Sequence, residues 1–284
     1  VIAGKGADIV ETTLNSVGSR IVLGDEGQLN YDTNNLLQSA QSTSTEGGND
    51  TITLGGASNS DTNIVIGGVG SLDKITTGDS IDIVLGDNGA IQWTAGALDT
   101  ISSSDTGEGG VDIITLGNGS KTVIGGADGD TITTGASGIH RVIGDNGTIA
   151  YDAGALRRMS SDAPTVAGEN TITLSGDVNQ VIGGSAADTI DVTTASSTDH
   201  ILGDSGEMNY SGAIGVEQLA SVQSLLGEAG GDDIITLGSG DKVVIAGKGA
   251  DIVETTLNSV GSRIVLGDEG QLNYDTNNLL QSAQ

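Results

Sequence analysis

Apolar, mostly β-branched positions recur along the chain every nine to eleven residues, with turn-forming segments between them. Ile114, Val123, Ile132 and Val142 are spaced by 9, 9 and 10 residues. Each lies in a short stretch such as IIT, TVI, TIT or RVI, and the intervening segments, such as LGNGSK and GGADGD, are rich in Gly, Asp, Asn and Ser. This pattern predicts strands separated by turns, whereas an amphipathic helix needs apolar spacings of three and four.

Two such half-coils make a coil of 18–20 residues. Coils of one length that stack in register bury a continuous aliphatic core, with strands about 4.8 Å apart. We therefore predict an all-β fold, a right-handed parallel β-solenoid of the β-roll type that runs continuously through residues 1–284. One segment departs from this pattern, because Val216, Leu219, Val222 and Leu225 have helical spacing, which predicts a short helix there.

A spacer follows each G-D-x-G motif. It separates that motif's Asp by 25–29 residues from the Asp or Asn that precedes the next T-I-T-like stretch. It opens on alternating residues with one aromatic, as in QLNY, AIQW, TIAY and EMNY. A turn and a second short apolar stretch come next. We interpret each spacer as a β-hairpin or an irregular extra coil.

The chain is a long repeat with a shorter one inside it. Residues 1–41 recur without a change at 244–284, an offset of 243 residues. V-I-G/A-G motifs divide this period into four units of similar length, namely 1–64, 65–122, 123–180 and 181–243. We expect the chain to hold one full 243-residue period and the start of the next, within a tandem array.

Composition narrows the function classes. The 284 residues include 47 Gly, one Pro and no Cys, and 38 acidic residues face 10 basic ones, for a net charge of −28. So much Gly and Asp disfavours a helical bundle, and the charge disfavours a nucleic-acid partner. No apolar run is long enough to span a membrane, and disulfides are excluded.

Aspartates recur about one coil apart, in turns that lead from V-I stretches into T-I-T stretches, so we expect them to stack along one edge. Two carboxylates about 4.8 Å apart repel by about 3–4 kcal/mol at an effective dielectric constant of about 20. Ten basic residues cannot pair most of them, whereas Ca²⁺ binds Asp and backbone carbonyl oxygens. The sequence thus predicts several Ca²⁺ ions between adjacent turns; the alternative is that these residues form turns by accepting local amides. The candidate ligands are Asp8, Asp25, Asp50, Asp73, Asp87, Asp112, Asp130, Asp145, Asp188, Asp204, Asp233, Asp251 and Asp268, and Asn170 replaces one member.

Other candidate chemistry is sparse. The five aromatics each lie six residues after a G-D-x-G Asp, and we favour rings that cover the hairpins over a row that binds glycans or a neighbouring fibre. Thr pairs suggest an ice-binding face, but Lys74, Asp191 and Glu254 interrupt the row. His140 and His200 fall in turns, where we expect solvated side chains. No catalytic constellation is recognisable, so we expect a protein that is not an enzyme. The aromatics are Tyr31, Trp93, Tyr151, Tyr210 and Tyr274.

The half-coils resemble the nonapeptide G-G-x-G-x-D-x-U-x of RTX (repeats-in-toxin) proteins. The matching segments are GGADGDTIT at 125–133, GGSAADTID at 183–191 and AGKGADIVE at 246–254. The resemblance covers about half of the chain and implies a parallel β-roll with Ca²⁺ between its turns. The sequence departs from the motif at its fourth position, where Asp128 or Ala186 replaces Gly, and in its G-D-N-G turns.

Together with the spacers, this pattern resembles modules of giant secreted bacterial RTX-like adhesins. The resemblance implies a structural module of an extracellular or cell-surface fibre or adhesin stalk, rigidified by calcium, whose partners are neighbouring repeats of the same chain. Two alternatives stay open. One is a self-assembling filament or sheath with lateral contacts between identical chains, and the other is a module that binds surface glycans.

Overall fold

The structure is a computed structural model that describes residues 1–13, 16–104, 109–162, 168–194, 196–225 and 230–284. The described residues form strands and turns, and none of them lies in a helix. In chain order the strands are β1 (Ile9–Glu11), β2 (Arg20–Leu23), β3 (Gly27–Tyr31), β4 (Leu37–Ser42), β5 (Thr51–Ile66), β6 (Lys74–Leu85), β7 (Gly89–Thr94), β8 (Ala97–Ser103), β9 (Ile113–Leu116), β10 (Lys121–Ile124), β11 (Thr131–Thr133), β12 (Ile139–Ile143), β13 (Gly147–Asp152), β14 (Ala155–Ser161), β15 (Thr171–Thr173), β16 (Val178–Gly184), β17 (Thr189–Val192), β18 (Thr198–Asp204), β19 (Gly206–Ser211), β20 (Gln218–Ser224), β21 (Ile234–Leu237), β22 (Lys242–Ile245), β23 (Ile252–Thr255), β24 (Arg263–Leu266), β25 (Gln271–Tyr274) and β26 (Leu280–Ala283). The predicted all-β class is confirmed.

Parallel pairing dominates the molecule and follows two lines of strands. The first ladder contains β1, the start of β5, the start of β6, β9, β11, β15, β17, β21 and β23. The second ladder contains β2, the end of β5, the end of β6, β10, β12, β16, β18, β22 and β24. Strands β5 and β6 each run from the first ladder into the second, which joins both into one sheet that does not close into a barrel.

The register follows the nine-residue pattern of the sequence. Ile132 pairs with Ile114 on one side and with Ile172 on the other. In the second ladder, Val123 pairs with Val84 and Val142. Equivalent residues of successive repeats therefore lie above one another, as their spacing predicts.

The spacers form β-hairpins, and the ten hairpin strands pair antiparallel in one continuous sheet, which we call the hairpin sheet. A hairpin follows every second strand of the second ladder, namely β2, β6, β12, β18 and β24. Two ladder steps span about 9.6 Å, and the two strands of one hairpin have the same width. Because the length of two ladder steps matches the width of one hairpin, neighbouring hairpins pair edge to edge without a gap.

The molecule has three layers and two cores. The first core lies between the two ladders and contains Ile52, Val65, Ile114 and Val123. The second core lies between the second ladder and the hairpin sheet, where residues such as Ile143 pack with Met159. The alternation within each strand of the second ladder supplies both cores, since Val142 enters the first and Ile143 the second.

The helix predicted near residues 216–225 is wrong. This segment contains β20, and the register of its pairing with β19 shifts between Asn209 and Tyr210. Such a bulge adds one residue, so Leu219 and Val222 both enter the second core although three positions separate them. The bulged strand therefore has the apolar spacing of a helix.

Candidate metal centre

The residue that immediately precedes each strand of the first ladder is an aspartate, with one exception, Asn170. Because the strands are in register, these residues lie in one line at the edge of the ladder, next to the turn from the second ladder. We call this line the aspartate row. Its members are Asp8, Asp50, Asp73, Asp112, Asp130, Asn170, Asp188, Asp233 and Asp251.

In every side chain of the row except that of the first member, Asp8, one oxygen accepts a hydrogen bond from the backbone amide of the preceding member. The amide of Asp112 donates to Oδ1 of Asp130 at 2.7 Å, and the amide of Asp130 donates to Oδ1 of Asn170 at 2.8 Å. The same bond links all nine members, with N–O distances from 2.7 to 3.0 Å. Each Oδ1 therefore stabilises the stacking of one turn on the next.

The other carboxylate oxygen has no such bond. Oδ2 of all eight aspartates in the row is buried and has no hydrogen-bond partner among the described residues. Asp73, Asp112 and Asp233 have no exposed surface. A buried carboxylate oxygen without a partner is costly unless a proton or a cation reaches it.

Burial accordingly raises the pKa of the row, and neighbouring carboxylates add to this effect. The pKa is raised to about 7 at Asp73, about 8 at Asp233 and about 9 at both Asp112 and Asp188, and burial is the largest cause in each case. Burial thus disfavours the ionised form of these side chains unless a proton or a cation compensates their charge.

A second line of acids lies beside the row, at the base of the hairpins. We call Asp25, Asp87, Asp145 and Asp204, the aspartates of the G-D-x-G motifs, the hairpin-base aspartates. Asp87 accepts the amide of Ala127 at 2.6 Å, from the next turn, and the amide of Gly110 at 3.2 Å, where its own hairpin returns. The other three accept the corresponding amide of the next turn, from Val69, Ser185 and Lys248.

The two lines meet where a hairpin leaves the ladder. An added Cβ on Gly86 would lie 2.4 Å from Oδ2 of Asp112 and 2.4 Å from the carbonyl oxygen of Gly125. Equivalent positions at Gly24 and Gly203 face Oδ2 of Asp50 and Asp233 in the same way. Each place brings a partnerless carboxylate oxygen next to backbone carbonyls and leaves room only for glycine. Oxygen donors of these two kinds are the ones that Ca²⁺ prefers, so the residues fit the predicted ion.

The predicted site residues thus occupy two lines instead of one. Eight of the thirteen lie in the aspartate row, four are hairpin-base aspartates, and Asp268 is exposed after the last strand of the second ladder. Asn170 occupies the row position predicted for it. The turn-former alternative assumed that these side chains accept amides of the local chain. In the structure, the amides that donate to Oδ1 come from the adjacent turn. Among the described residues, no three Asp, Glu, His or Cys side chains converge on one point, so a cation here needs carbonyl ligands as well.

The prediction that both histidines lie in turns is wrong, because both lie in strands. His140 lies in β12 and has no exposed surface, and its Nδ1 is 2.8 Å from Oγ1 of Thr134. His200 lies in β18, where burial lowers its pKa to about 4 and Nδ1 is 3.3 Å from the hydroxyl of Tyr210. Both histidines face packed surroundings because the second ladder is the middle layer, with a core on each of its faces.

The aromatics lie in the first strand of each hairpin, directly after the point where a bulge in the second strand shifts the register. Tyr210 is buried, and Trp93, Tyr151 and Tyr274 pack against the second core. Only Tyr31 is half exposed, at 52%. The favoured interpretation, in which the rings cover the hairpins, agrees with these contacts at four positions.

Sequence reasoning missed a line of polar side chains inside the second ladder, two residues before each V-I, V-L or I-L pair. We call it the buried polar column. Lys121 Nζ lies 2.5 Å from Oδ2 of Asp82, and Lys242 Nζ lies 2.5 Å from Oδ2 of Asp199, with all four side chains fully buried. In ladder order the column reads Arg20, Asn63, Asp82, Lys121, His140, Asn179, Asp199, Lys242 and Arg263. The order Asn-Asp-Lys occurs twice per period, each time two residues before the apolar pair, and this offset is visible in the sequence.

Comparison with protein-family models, with curated proteins and with solved structures found no match. The described part of the chain also contains no candidate for a helical membrane span.

Proposed function

We propose that this chain is a structural repeat module of a giant extracellular or cell-surface fibre or adhesin stalk, wound as a right-handed parallel β-solenoid of four units per period and rigidified by calcium. The observation that carries this proposal is the aspartate row. It extends from Asp8 to Asp251 with an unbroken series of hydrogen bonds, and each of its eight aspartates has a carboxylate oxygen without a hydrogen-bond partner among the described residues.

The strand order supports the solenoid. The chain alternates between the two ladders, and it inserts a hairpin at every second passage. Eight ladder steps separate Arg20 from Arg263, which are equivalent residues of successive periods. A period would therefore add about 38 Å to a rod. In a tandem array the next period would continue the same ladders and cores.

The donor set supports calcium as the ion. Residues of the row and the hairpin-base aspartates offer carboxylate oxygens, and the glycine-rich turns offer carbonyl oxygens close by. When bound, Ca²⁺ supplies positive charge without chemistry of its own, and the chain's own oxygens hold adjacent turns together. Modules with calcium affinities of 10⁻⁴–10⁻³ M work outside cells, where this ion is abundant. The net charge of −28 favours rods that stay apart in solution.

The test uses the 284-residue chain after removal of metals on a chelating resin. We expect the melting temperature to rise with added CaCl₂ and to fall again with EDTA, because an ion that binds only the folded chain stabilises it by mass action. A chain with a second full period, studied by small-angle X-ray scattering in calcium, should have a maximum dimension about 38 Å longer.

Two results would reject the proposal. A melting temperature that responds neither to EDTA nor to excess CaCl₂ removes the role of calcium. A second period that widens the particle, without extending it, removes the rod. MgCl₂ at the same concentration is the control, since Mg²⁺ demands a tighter octahedral geometry and keeps its water ligands.

A further inference from the structure

We call each position of the aspartate row, together with the oxygens around it, a level. We propose that the side-chain amide of Asn170 replaces a cation at its level, so that this level excludes calcium while the equivalent levels at Asp50, Asp112 and Asp233 bind it. The calcium half of this inference rests on the proposed function. The amide half rests on hydrogen bonds of the chain alone.

Asn170 is a full member of the row. It is 1% exposed, its Oδ1 accepts the amide of Asp130 at 2.8 Å, and its own amide donates to Oδ1 of Asp188 at 2.8 Å. Its backbone and Oδ1 therefore match those of the aspartates on either side. The difference lies in the other terminal atom, which is an NH₂ group instead of an oxygen.

That NH₂ group is surrounded by oxygens. Nδ2 lies 3.0 Å from Oδ1 of Asp145, 3.2 Å from the carbonyl oxygen of Gly168 and 3.3 Å from that of Gly183. Asp145 is the hairpin-base aspartate of this level. The group is thus a donor toward one carboxylate and two carbonyls, the same kinds of ligand that Ca²⁺ takes.

The equivalent place at Asp112 has an oxygen where Asn170 has nitrogen. A Cβ on Gly144 would lie 2.2 Å from the Gly183 carbonyl oxygen and 2.6 Å from Nδ2 of Asn170. A Cβ on Gly86 would lie 2.4 Å from the Gly125 carbonyl oxygen and 2.4 Å from Oδ2 of Asp112. Oxygen therefore faces oxygen at Asp112, and an ionised carboxylate has no hydrogen to donate. Only added positive charge relieves that arrangement.

The hairpin-base aspartates beside these two levels have different partners. Asp145 accepts the side-chain amide of Asn170 at 3.0 Å, whereas Asp87, beside Asp112, accepts the backbone amides of Ala127 and Gly110. Both side chains are buried. The two levels are a natural comparison of one site with and without an internal donor.

The experiment compares the parent chain with Asn170→Asp and Asp112→Asn. Exposed Asn34→Asp and Asp152→Asn are the charge-matched controls. Calcium per chain is measured by equilibrium dialysis and inductively coupled plasma mass spectrometry at one free-calcium concentration. We expect one equivalent more than the parent for Asn170→Asp, one fewer for Asp112→Asn, and no change for the controls.

A second readout does not depend on bound metal. In EDTA at pH 8, Asn170→Asp should melt below the parent and Asp112→Asn above it, because the first creates an oxygen without a donor and the second removes one. Saturating CaCl₂ should then restore Asn170→Asp toward the parent. Unchanged calcium content in Asn170→Asp, or a melting order in EDTA opposite to this one, overturns the inference.

The two proposals fail separately. A parent chain that binds no calcium rejects the proposed function and the cation half of the inference together. The melting order in EDTA still decides whether the Asn170 amide stabilises its level. A parent that binds calcium, with an Asn170→Asp variant that binds no more, rejects the inference and leaves the proposed function intact.

Discussion

Lys121 Nζ lies 2.5 Å from Oδ2 of Asp82, and neither side chain has any exposed surface. Asp82 also accepts hydrogen bonds from Asn63, Ser80 and Thr77, so its carboxylate is fully partnered. Burial lowers the pKa of Lys121, and Asp82 acts in the opposite direction. The pair belongs to neighbouring strands of the second ladder, and it is a long-range contact between residues 39 positions apart.

Removal of one partner should be costly. We expect Lys121→Met to lower the free energy of unfolding by about 3–5 kcal/mol, because it leaves a buried carboxylate without its counter-ion. The double variant Asp82→Asn/Lys121→Met should recover most of that loss, since no charge stays buried. Urea denaturation measures both. Lys74→Met, at an exposed position of the first ladder, is the control, and a loss below about 1 kcal/mol for Lys121→Met would contradict the expectation.

The buried polar column should also restrict which turns can stack. Deletion of residues 65–122 removes Asp82 and Lys121 together, whereas deletion of residues 87–144 removes Lys121 and keeps Asp82. Each deletion takes out 58 residues, with two ladder steps and one hairpin, so the alternation of hairpins is kept. We expect the first chain to fold and the second to be destabilised by about 3 kcal/mol or more, through the uncompensated Asp82.

The comparison of the two deletions is read by circular dichroism and urea denaturation under identical conditions. Restoration of the second chain by Asp82→Asn would assign the loss to the charge. Equal stability of both deletion chains would show that the column does not influence stacking.

Without metal, stability should fall as the pH rises above about 6.5. The folded-state pKa is raised to about 7 at Asp73, about 8 at Asp233 and about 9 at Asp112. Between the unfolded value near 4 and these folded values, the folded chain binds more protons than the unfolded chain, so stability is greatest at low pH and is lost through the folded pKa. His200 has the opposite effect below about pH 6.5, because burial lowers its pKa to about 4.

Melting curves in EDTA from pH 6.5 to 9 measure this slope. Asp112→Asn should have a shallower slope than the parent, since one titrating group is gone. Stability in EDTA that rises across this range would contradict the expected protonation of the row.

Equivalent glycines should differ in their tolerance of a methyl group. Gly86→Ala places Cβ 2.4 Å from two oxygens, those of Asp112 and Gly125, whereas Gly267, the equivalent residue of the last hairpin, has no atom within 4 Å of that position. We expect Gly86→Ala to cost about 1–3 kcal/mol, as overpacking does, and Gly267→Ala to change stability by less than about 0.5 kcal/mol. Thermal or urea denaturation of the two variants measures the difference, and equal effects would mean that the turn at Gly86 relaxes freely.

The sequence alone determined the strands, the turns and the line on which Ile114, Ile132 and Ile172 lie. It did so because strand and turn preferences are local and because the repeat identifies equivalent positions in successive units. It also predicted that Asn170 takes an aspartate's place, since the repeat aligns the two. The apparent helix near Leu219 failed because a bulge and a helix produce the same apolar spacing over three residues.

Only the tertiary structure decided which side chains meet. The aspartates divide into two lines because the hairpins leave the ladder at every second step, so that the G-D-x-G aspartates bond to the next turn instead of joining the row. Lys121 contacts Asp82, and the five hairpins pair into one sheet. Both sets of contacts join chain segments that lie about forty or more residues apart. Local spacing does not encode the direction of a side chain into one core or the other; the packing of the three layers does.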